Sequence, residues 1–460
     1  MSGPNWPPVT FGRGKSDGKF VRFSDDGHIM SIAPTGAGKG ATSIIPNLLK
    51  WPDSVFVIDP KGENVKATIS QRHALNGGKV YLLDPFEIVS GAPKAIRARF
   101  NPLDFIDLGD AGITQADRLA DALIVKEPGG ENAYFTNEAR ALLRALILHV
   151  KTDDLYEGQR HLGTVNRKAS DRFGLVGLAE PGEMQENAAY GGLIARTAKR
   201  MADKGDREAP AVWSTLQANL SQFLDDPRVA ANLSETSFDF LQLTRERVSV
   251  FAVLPVQYLE TFSRWLRLLV GSALDRLYHG MGTEKPPEVA ALFLLDEFAH
   301  LGNLEAIRTA YGVARGAGVK IWAILQSLSQ LDAIYGEHGR ENLIANSGAI
   351  EVFNSFDNKG CKYFSELAGE HYVTIASKSE ATATSFSGAR VAGQPGDRES
   401  SHTETSSLSE VLRPRLLPSE IAGMDVGEKL LFRRRHGFEV LHKVYYFEDA
   451  HLSGLADPPG

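Results

Sequence analysis

The sequence predicts an α/β protein: a parallel sheet that carries a glycine-rich turn and into which an all-helical domain is inserted. Three observations lead to this fold class. Short apolar runs typical of buried strands alternate with helical stretches over short connections, which implies parallel pairing. A glycine-rich segment stands between the first core strand and the first helix. From about residue 105 to residue 243 the apolar spacing is mostly helical, and the strand pattern resumes after this block.

The first part of the sheet is predicted from three apolar runs. They are residues 28–33, 55–58 and 80–84. The second run ends at Asp59, as expected of a buried strand that stops at a polar edge. A helix is predicted over 39–50, and Pro52 prevents its extension. Residues 1–19, rich in Gly and Pro, are predicted to be an irregular lead-in.

The middle block is predicted to be a separate helical domain. Residues 136–151 place four apolar side chains on one helical face, which indicates a core-facing stripe. These side chains are Leu142, Leu143, Leu146 and Ile147. Helices are also predicted over 187–204 and 211–224, and the charged, Gly-rich stretch 153–180 is predicted to be a loop.

Strand signals return after this block and complete the sheet. The apolar runs are residues 248–254, 290–295, 319–325 and 349–353. The Ser- and Thr-rich stretch 373–387 partly alternates, so that a hairpin and disorder both stay open. Residues 430–432 and 440–447 are predicted to be edge strands. The domain prediction is therefore 1–104 and 244–460 for the two parts of the sheet domain, with 105–243 as the all-α domain between them.

Composition excludes several classes of protein. Of 460 residues, 50 are Lys or Arg and 57 are Asp or Glu, giving a net charge of −7, so the chain is no generally basic nucleic-acid coat. The single cysteine, Cys361, excludes an intrachain disulfide and a Cys-rich zinc site. The longest apolar stretch found, residues 290–295, is far shorter than the ~20 residues of a membrane span.

The glycine-rich turn IAPTGAGKG, which starts at Ile32, has the strand-turn-helix context of a phosphate-binding P-loop. Gly36 and Gly38 allow backbone N–H groups to converge on phosphate oxygens, and the helix N-terminus adds partial positive charge. Lys39 would reach the β- and γ-phosphates. The alternative is a strand-helix turn without a ligand.

Two positions of this turn depart from the usual pattern. Ala33 stands where the first glycine is usual, and Gly40 replaces the Ser or Thr whose hydroxyl holds Mg²⁺. Thr42 or water would have to substitute for that hydroxyl. An upstream Gly14-Lys15-Ser16 imitates the end of the motif, but the sequence before it does not predict an apolar strand, and we interpret it as a surface loop.

A second polar group follows the strand 290–295. Asp296 and Glu297 come directly after its apolar residues and would lie at the carboxyl edge of the sheet, where ligands bind in open α/β sheets. Asp296 would hold Mg²⁺ and Glu297 would polarise the attacking water, because phosphoryl transfer depends mainly on positioning. The alternative is a pair of acids that stabilise a helix N-terminus.

Three further residues are candidates at the same site. Asp59 ends a core strand and would tune the nucleotide site, or alternatively cap a turn. Gln326 ends the strand 319–325 and would sense the γ-phosphate. Arg315 precedes that strand, and an arginine supplied across a subunit boundary can stabilise transition-state charge.

Six segments, in order along nearly the whole chain, resemble TraG-type coupling proteins of type IV secretion and conjugation. They are 32–49 (IAPTGAGKG and TSIIPNLL), 57–64 (VIDPKGEN), 82–104 (LLDP and RFNPLD), 294–305 (LLDEFAHLGNLE), 324–336 (ILQSLSQLDAIYG) and 413–421 (RPRLLPSEI). The resemblance implies a RecA-like ATPase core with an inserted all-α domain. It also implies homo-hexameric rings with ATP at subunit boundaries, and an all-α domain that meets relaxosome DNA–protein complexes or protein effectors.

The resemblance also implies roles for individual residues. Lys39, Asp296, Glu297 and Gln326 keep the roles given above, and Arg315 aligns with the arginine proposed to act in trans. With ATP and Mg²⁺ as cofactors, the nucleotide-binding set is Thr35, Gly36, Ala37, Gly38, Lys39, Gly40, Ala41 and Asp59.

One departure concerns the membrane. Members of this family usually carry N-terminal transmembrane helices, whereas here only residues 1–27, largely polar, precede the first core strand. We expect a truncated chain or a subgroup without its own anchor, located in the cytoplasm at the inner face of the bacterial inner membrane. Without an anchor, a monomer in isolation is an alternative to the hexamer.

The predicted function is that of an ATPase that recruits DNA–protein or protein substrates to a type IV secretion channel and energises their transfer. One alternative is an FtsK-type DNA translocase, although no winged-helix reader domain is recognised. Another is a docking platform that binds nucleotide without hydrolysing it, which the missing hydroxyl at Gly40 favours. A small-molecule kinase would require a substrate domain that the sequence does not show.

Overall fold

A mixed sheet and a long hairpin are the two β structures in the part of the chain that the computed structural model describes, residues 5–125, 133–177, 180–283, 286–354, 357–386 and 398–458. The chain divides into two compact units, one formed by 1–355 with 425–460 and the other by 356–424. The strands are β1 (Val9–Gly14), β2 (Phe20–Phe23), β3 (His28–Ile32), β4 (Ser54–Asp59), β5 (Val80–Leu83), β6 (Ser249–Val253), β7 (Ala291–Leu295), β8 (Val319–Leu325), β9 (Ser347–Phe353), β10 (Glu370–Phe386), β11 (Arg398–Pro414), β12 (Glu428–Arg433) and β13 (Gly437–His442).

Described strands of the sheet are ordered β2-β1-β13-β12-β9-β3-β8-β7-β4-β6-β5. The seven from β9 to β5 pair in parallel, as the short connections predicted. Ile32 lies opposite Leu325, and Ile58 opposite Leu295, so the strand ends that carry the predicted site residues are aligned at one edge. The strand order and register alone therefore bring those residues close together.

The last two strands are not edge strands, contrary to the prediction. β12 pairs with β9, and β13 lies between β12 and β1, all antiparallel. The lead-in 1–19 was wrongly predicted to be irregular, because it contains β1, which extends the sheet beyond β13 and in turn pairs with β2. The alternating VTFGRG sequence of β1 buries Val9 and Phe11.

Helices occupy the middle of the chain and flank the sheet. They are α1 (Ile45–Lys50), α2 (Glu63–Leu75), α3 (Ala111–Leu123), α4 (Ala133–Thr152), α5 (Leu162–Ala169), α6 (Arg172–Val176), α7 (Glu183–Glu186), α8 (Ala189–Ala202), α9 (Glu208–Leu224), α10 (Pro227–Asn232), α11 (Gln242–Arg245), α12 (Leu259–Thr283), α13 (Glu305–Val313), α14 (Leu328–Ala345), α15 (Asn358–Ala368), α16 (Pro418–Ala422) and α17 (Ala450–Ser453).

The segment between β5 and β6 carries α3 to α11, and the four predicted apolar residues of α4 are fully buried, in agreement with an all-α insertion. The exact domain boundaries stay a prediction. The stretch 153–180 was wrongly predicted to be a loop, because it contains α5 and α6. His161 and Asp171 cap these short helices by accepting hydrogen bonds from the N–H groups of Thr164 and Gly174.

The unit 356–424 contains the hairpin, which resolves one of the two alternatives left open for the Ser- and Thr-rich stretch. β10 and β11 pair in antiparallel register from Glu370–Pro414 to Phe386–Arg398. Residues 387–397, including the predicted end at Ser387, lie outside the described residues. Among the described helices, none is long and apolar enough to cross a membrane.

A buried lysine lies at the amino end of β8. Lys320 is fully buried, and its amine donates a hydrogen bond to the carbonyl of Asp25 at 2.6 Å and lies over the rings of Trp6 and Phe23. Burial lowers the pKa of Lys320 to about 7, although Asp25 and Asp26 act in the opposite direction. The folded chain therefore binds this proton less tightly than the unfolded chain.

This pKa leads to a prediction about Lys320→Met. Between about pH 7 and pH 10 the unfolded lysine holds a proton that the folded lysine has released, so this residue makes the wild-type free energy of unfolding rise with pH. The variant lacks that rise, and its advantage over the wild type is greatest at pH 7, because replacing a buried charge by an apolar side chain is often stabilising. Urea unfolding of both proteins at pH 7 and pH 9 measures the difference. A difference that does not change with pH would contradict the prediction.

Candidate nucleotide-binding site

The turn after β3 has the backbone conformation of a phosphate-binding loop. Gly36 and Gly38 have φ angles of 78° and 86°, in the left-handed region where only glycine is unstrained. The N–H of Ala37 donates to the carbonyl of Pro34 at 3.1 Å, which closes the turn. The predicted glycines are therefore required by the backbone itself.

The helix that follows begins with a π-helical turn, Gly40–Ile44, before α1. Thr42 is buried, and its hydroxyl donates to the carbonyl of Gly38 at 2.8 Å. The proton of this hydroxyl is thus engaged inside the turn, whereas its oxygen lone pairs are not used by this bond. Substitution by Thr42 or by water for the hydroxyl that Gly40 lacks stays a prediction.

Four predicted residues from three strand ends meet at this turn. The Lys39 ammonium lies 2.7 Å from Asp296 Oδ1 and 2.8 Å from Glu297 Oε1, and Gln326 Nε2 donates to Glu297 Oε2 at 2.9 Å. The side chains of Lys39 and the two acids are only 12–18% exposed. The resulting cluster joins the turn after β3 to the carboxyl ends of β7 and β8.

Glu297 also has an unusual backbone. Its φ angle of 53° lies in the left-handed region, which a non-glycine residue adopts at a cost of about 1–3 kcal/mol. Its N–H donates to Asp296 Oδ1 at 2.9 Å, so the two acids fix each other. Strain of this kind persists where the surrounding contacts hold a side chain in a required position.

The protonation states follow from burial and these contacts. Burial alone would lower the pKa of Lys39, but Asp296 and Glu297 outweigh it and raise the pKa. Burial raises the pKa of Asp296, and Lys39 offsets this only in part. Burial also acts to raise the pKa of Glu297, yet the hydrogen bonds from Lys39 and Gln326 bring it below its ordinary value. Glu297 is therefore an ionised acceptor at neutral pH.

Asp59 lies at the same edge but is used differently. Its Oδ2 accepts from the N–H of Val65 at 2.8 Å and its Oδ1 accepts from Asn64 Nδ2 at 3.2 Å, so its described hydrogen bonds are those of a cap for α2. Burial raises the pKa of Asp59 to about 7 against these hydrogen bonds. The capping alternative considered from the sequence thus has direct contacts, and a nucleotide contact by Asp59 stays a prediction.

Arg315 is not brought to this cluster. It lies in the turn Ala314–Ala317 before β8, at the opposite edge of the sheet from Gln326, which follows that strand. Its Nη1 lies 3.3 Å from Asp26 Oδ2. A role for Arg315 at the site of a neighbouring subunit stays a prediction.

Sequence reasoning missed a group of residues behind the turn. The Lys443 amine donates to the carbonyls of Ala37 and Val426 at 2.9 and 2.7 Å and thereby holds the turn from outside. Burial, with Lys429 nearby, lowers the pKa of Lys443 to about 8. Little in the sequence indicated this role for Lys443, because a lone lysine near the end of a chain is usually solvated.

A fully buried ion pair supports the start of the helix. Lys429 on β12 pairs with Glu351 on β9, and Glu351 accepts hydrogen bonds at 2.7 Å from the hydroxyls of Ser31 and Ser43. Ser43 belongs to the π-helical turn, so the pair connects this turn to three strands. In the sequence, this ion pair was indicated only by Glu351, a charged residue inside the apolar strand GAIEVF.

The described residues contain no group of three or more His, Cys, Asp or Glu that could hold a metal ion by itself. This is compatible with Mg²⁺, which is usually bound by one or two carboxylates together with substrate phosphates and water. Asp296 is the carboxylate that fits this role, because it lies beside Lys39 at the mouth of the turn.

A phosphate-binding turn, an acidic strand end on a neighbouring parallel strand and an inserted all-α domain together define a RecA-like P-loop nucleotide-binding fold. The chain belongs to the family described as type IV secretory system conjugative DNA transfer, whose model matches residues 1–458. It is 29% identical over 456 residues to protein VirD4 of Agrobacterium fabrum and 30% identical over 433 residues to the conjugal transfer protein TraG of Escherichia coli.

These alignments cover 95% and 89% of this chain but only 61% and 63% of the two relatives. The chain therefore spans about three fifths of their length. Among solved structures, the unbound bacterial conjugative coupling protein TrwBdeltaN70 shares the fold, with a TM-score of 0.64 at 17% identity over 92% of this chain and 87% of the other. The plasmid coupling protein TrwB in complex with ADP and Mg²⁺ gives 0.64 at 16% identity over 97% and 96%.

Proposed function

We propose that the chain binds ATP with Mg²⁺ and hydrolyses it as the motor of a type IV secretion coupling protein. The observation that carries this proposal is the contact of Lys39 with both Asp296 and Glu297 at the mouth of the glycine-rich turn. If Asp296 and Glu297 only stabilised a helix N-terminus, they would not need to contact Lys39. TrwB, which shares the fold, has been solved with a non-hydrolysable ATP analogue and with ADP and Mg²⁺.

Each residue of the cluster has a role in this reaction. The N–H groups of the turn and the Lys39 ammonium bind phosphate oxygens and offset the negative charge that these oxygens carry. Glu297 orients a water for attack on that phosphorus and accepts its proton, while the bond to the bridging oxygen breaks and ADP leaves. Gln326 holds Glu297 by its amide. Asp296 would hold Mg²⁺, which would supply neutralising charge to the phosphates.

In the free site, Lys39 is neutralised by two carboxylates. A triphosphate must therefore draw the ammonium away from Asp296 and Glu297 before it is fully bound. The same movement releases Glu297 from Lys39 and leaves its carboxylate free to accept the proton of water. Nucleotide binding and preparation of the base are coupled in this way through one side chain.

The cargo is inferred from the family. Its description names conjugative DNA transfer, and the TraG relative is named a conjugal transfer protein. We extend to this chain the recruitment of DNA–protein or protein substrates, contact with a type IV secretion channel at the cytoplasmic face of the inner membrane, and assembly into a homo-hexamer. In that ring Arg315 would act at the nucleotide of the neighbouring subunit.

A second function, that of a docking platform, is supported by one observation. Gly40 lacks the hydroxyl that holds Mg²⁺ in a typical P-loop, and Thr42, whose hydroxyl donates to the carbonyl of Gly38, is buried. This favours a docking platform that binds nucleotide and presents substrates without hydrolysis.

The test is nucleotide turnover by the purified chain over a range of protein concentrations, with and without single- and double-stranded DNA. A ring motor with shared sites gives turnover that rises steeply with concentration and further with DNA. Nucleotide binding without turnover under every condition would favour the platform instead.

A further inference from the structure

The segment after β13 returns to the phosphate-binding turn. Besides the Lys443 amine on Ala37, the N–H of Tyr446 donates to the carbonyl of Ala41 at 3.1 Å. A Cβ placed on Gly38 would lie 3.7 Å from the ring of Tyr445. The segment is thus fixed along the turn and the first residues of the helix.

Alternate side chains of this segment face different surroundings. Val444 and Tyr446 pack against the small apolar cluster of Ile45, Leu49 and Leu452. Tyr445 and Phe447 contact each other, with ring centroids 5.4 Å apart, and Phe447 is 56% exposed. The rings of Tyr445 and Phe447 are tilted by 40° to each other, and Phe447 also meets Tyr446 edge to face at 5.3 Å. Phe447 thus presents an open aromatic face next to the glycine-rich turn.

The position of this surface along the turn indicates its ligand. In a P-loop the lysine reaches the β- and γ-phosphates, whereas the backbone cradles the α- and β-phosphates. The residues after Lys39 therefore face the α-phosphate, and the sugar and base extend beyond them. Tyr446 is hydrogen-bonded to one of these residues, Ala41, so the aromatic pair lies at the base end of the site.

We infer that Tyr445 and Phe447 form a stacking platform for the purine base of the nucleotide, an inference that rests on the proposed function. Phe447 supplies the open face, and Tyr445 supports it from the side of the turn. Stacking depends on the π-face that every base has, and it does not recognise the hydrogen-bonding groups at the edge of the base. ATP and GTP should accordingly bind this chain with similar affinity.

The test is the affinity of the full chain for ATP, GTP and inorganic tripolyphosphate, by calorimetry. Phe447→Ala should weaken ATP and GTP about tenfold, as expected for loss of one stacked aromatic, and should leave tripolyphosphate unchanged. Phe447→Trp should keep wild-type affinity for all three. Leu108→Ala, which removes another exposed apolar side chain elsewhere in the chain, is the control.

Two outcomes would overturn the inference while leaving the proposed function intact. In one, Phe447→Ala binds ATP as tightly as the wild type. In the other, it loses affinity for ATP and tripolyphosphate equally, which would indicate a distorted turn. A wild-type chain that binds none of the three ligands would instead refute the proposed function, and the inference with it.

Discussion

Lys39→Ala is expected to lower nucleotide turnover by about 10²–10³-fold or more, since removal of one preorganised group that stabilises transition-state charge typically has this effect. The ammonium lies at the mouth of the turn and within 2.8 Å of both acids. Loss of the charge also leaves Asp296 and Glu297 facing an incoming triphosphate without neutralisation. Affinity for ATP should therefore fall together with the rate.

Lys39→Arg is the control for this variant. It keeps a positive charge beside Asp296 and Glu297, and so preserves the ion pairs, but its planar head does not match the position of the ammonium. It should fold as stably as the wild type and still show a greatly reduced rate. Steady-state phosphate release measures the rates, and thermal unfolding verifies the fold. Turnover by Lys39→Ala within a few-fold of the wild type would contradict the proposed site.

Glu297→Gln should separate nucleotide binding from hydrolysis. The amide cannot accept a proton from the attacking water, and loss of a positioned general base typically lowers a rate by about 10²–10⁴-fold. One of the two carboxylates that compete for Lys39 is also neutralised. Affinity for ATP should therefore be equal to or higher than that of the wild type, in contrast to Lys39→Ala.

Gln326→Ala provides the matched comparison, because it removes the amide that positions Glu297 and leaves the carboxylate in place. Its rate should fall less than that of Glu297→Gln. Single-turnover hydrolysis together with equilibrium binding distinguishes the two effects. If substrate delivery to a secretion channel survives Glu297→Gln, hydrolysis is not the function and the docking platform is favoured.

Much of the parallel core and its site was predictable from local sequence. An apolar run that ends in a polar residue gives the position of a strand end, and Asp296 and Gln326 were found in this way. Gly36 and Gly38 were predictable because their conformation excludes other residues. Contacts among strand ends follow from the parallel order alone, which is why Lys39, Glu297 and Gln326 meet as expected.

The remaining features depend on pairings that are distant in sequence. β1 has no partner in its own neighbourhood except β2, and its place beside β13 cannot be read from the amino-terminal residues. Lys443 reaches Ala37 across 406 positions of the chain. The hydroxyl of Thr42 could be named as a candidate ligand from the sequence. Its hydrogen bond to the carbonyl of Gly38 and the π-helical turn in which Thr42 lies were not indicated by the sequence pattern.

The most direct test of the central claim is a crystal structure of the chain with a non-hydrolysable ATP analogue and Mg²⁺. The proposed function predicts that the triphosphate lies in the turn after β3 and that the Lys39 ammonium has left Asp296 and Glu297 for phosphate oxygens at about 2.7–3.2 Å. An analogue bound elsewhere, with Lys39 still 2.7 and 2.8 Å from the two carboxylates, would contradict it.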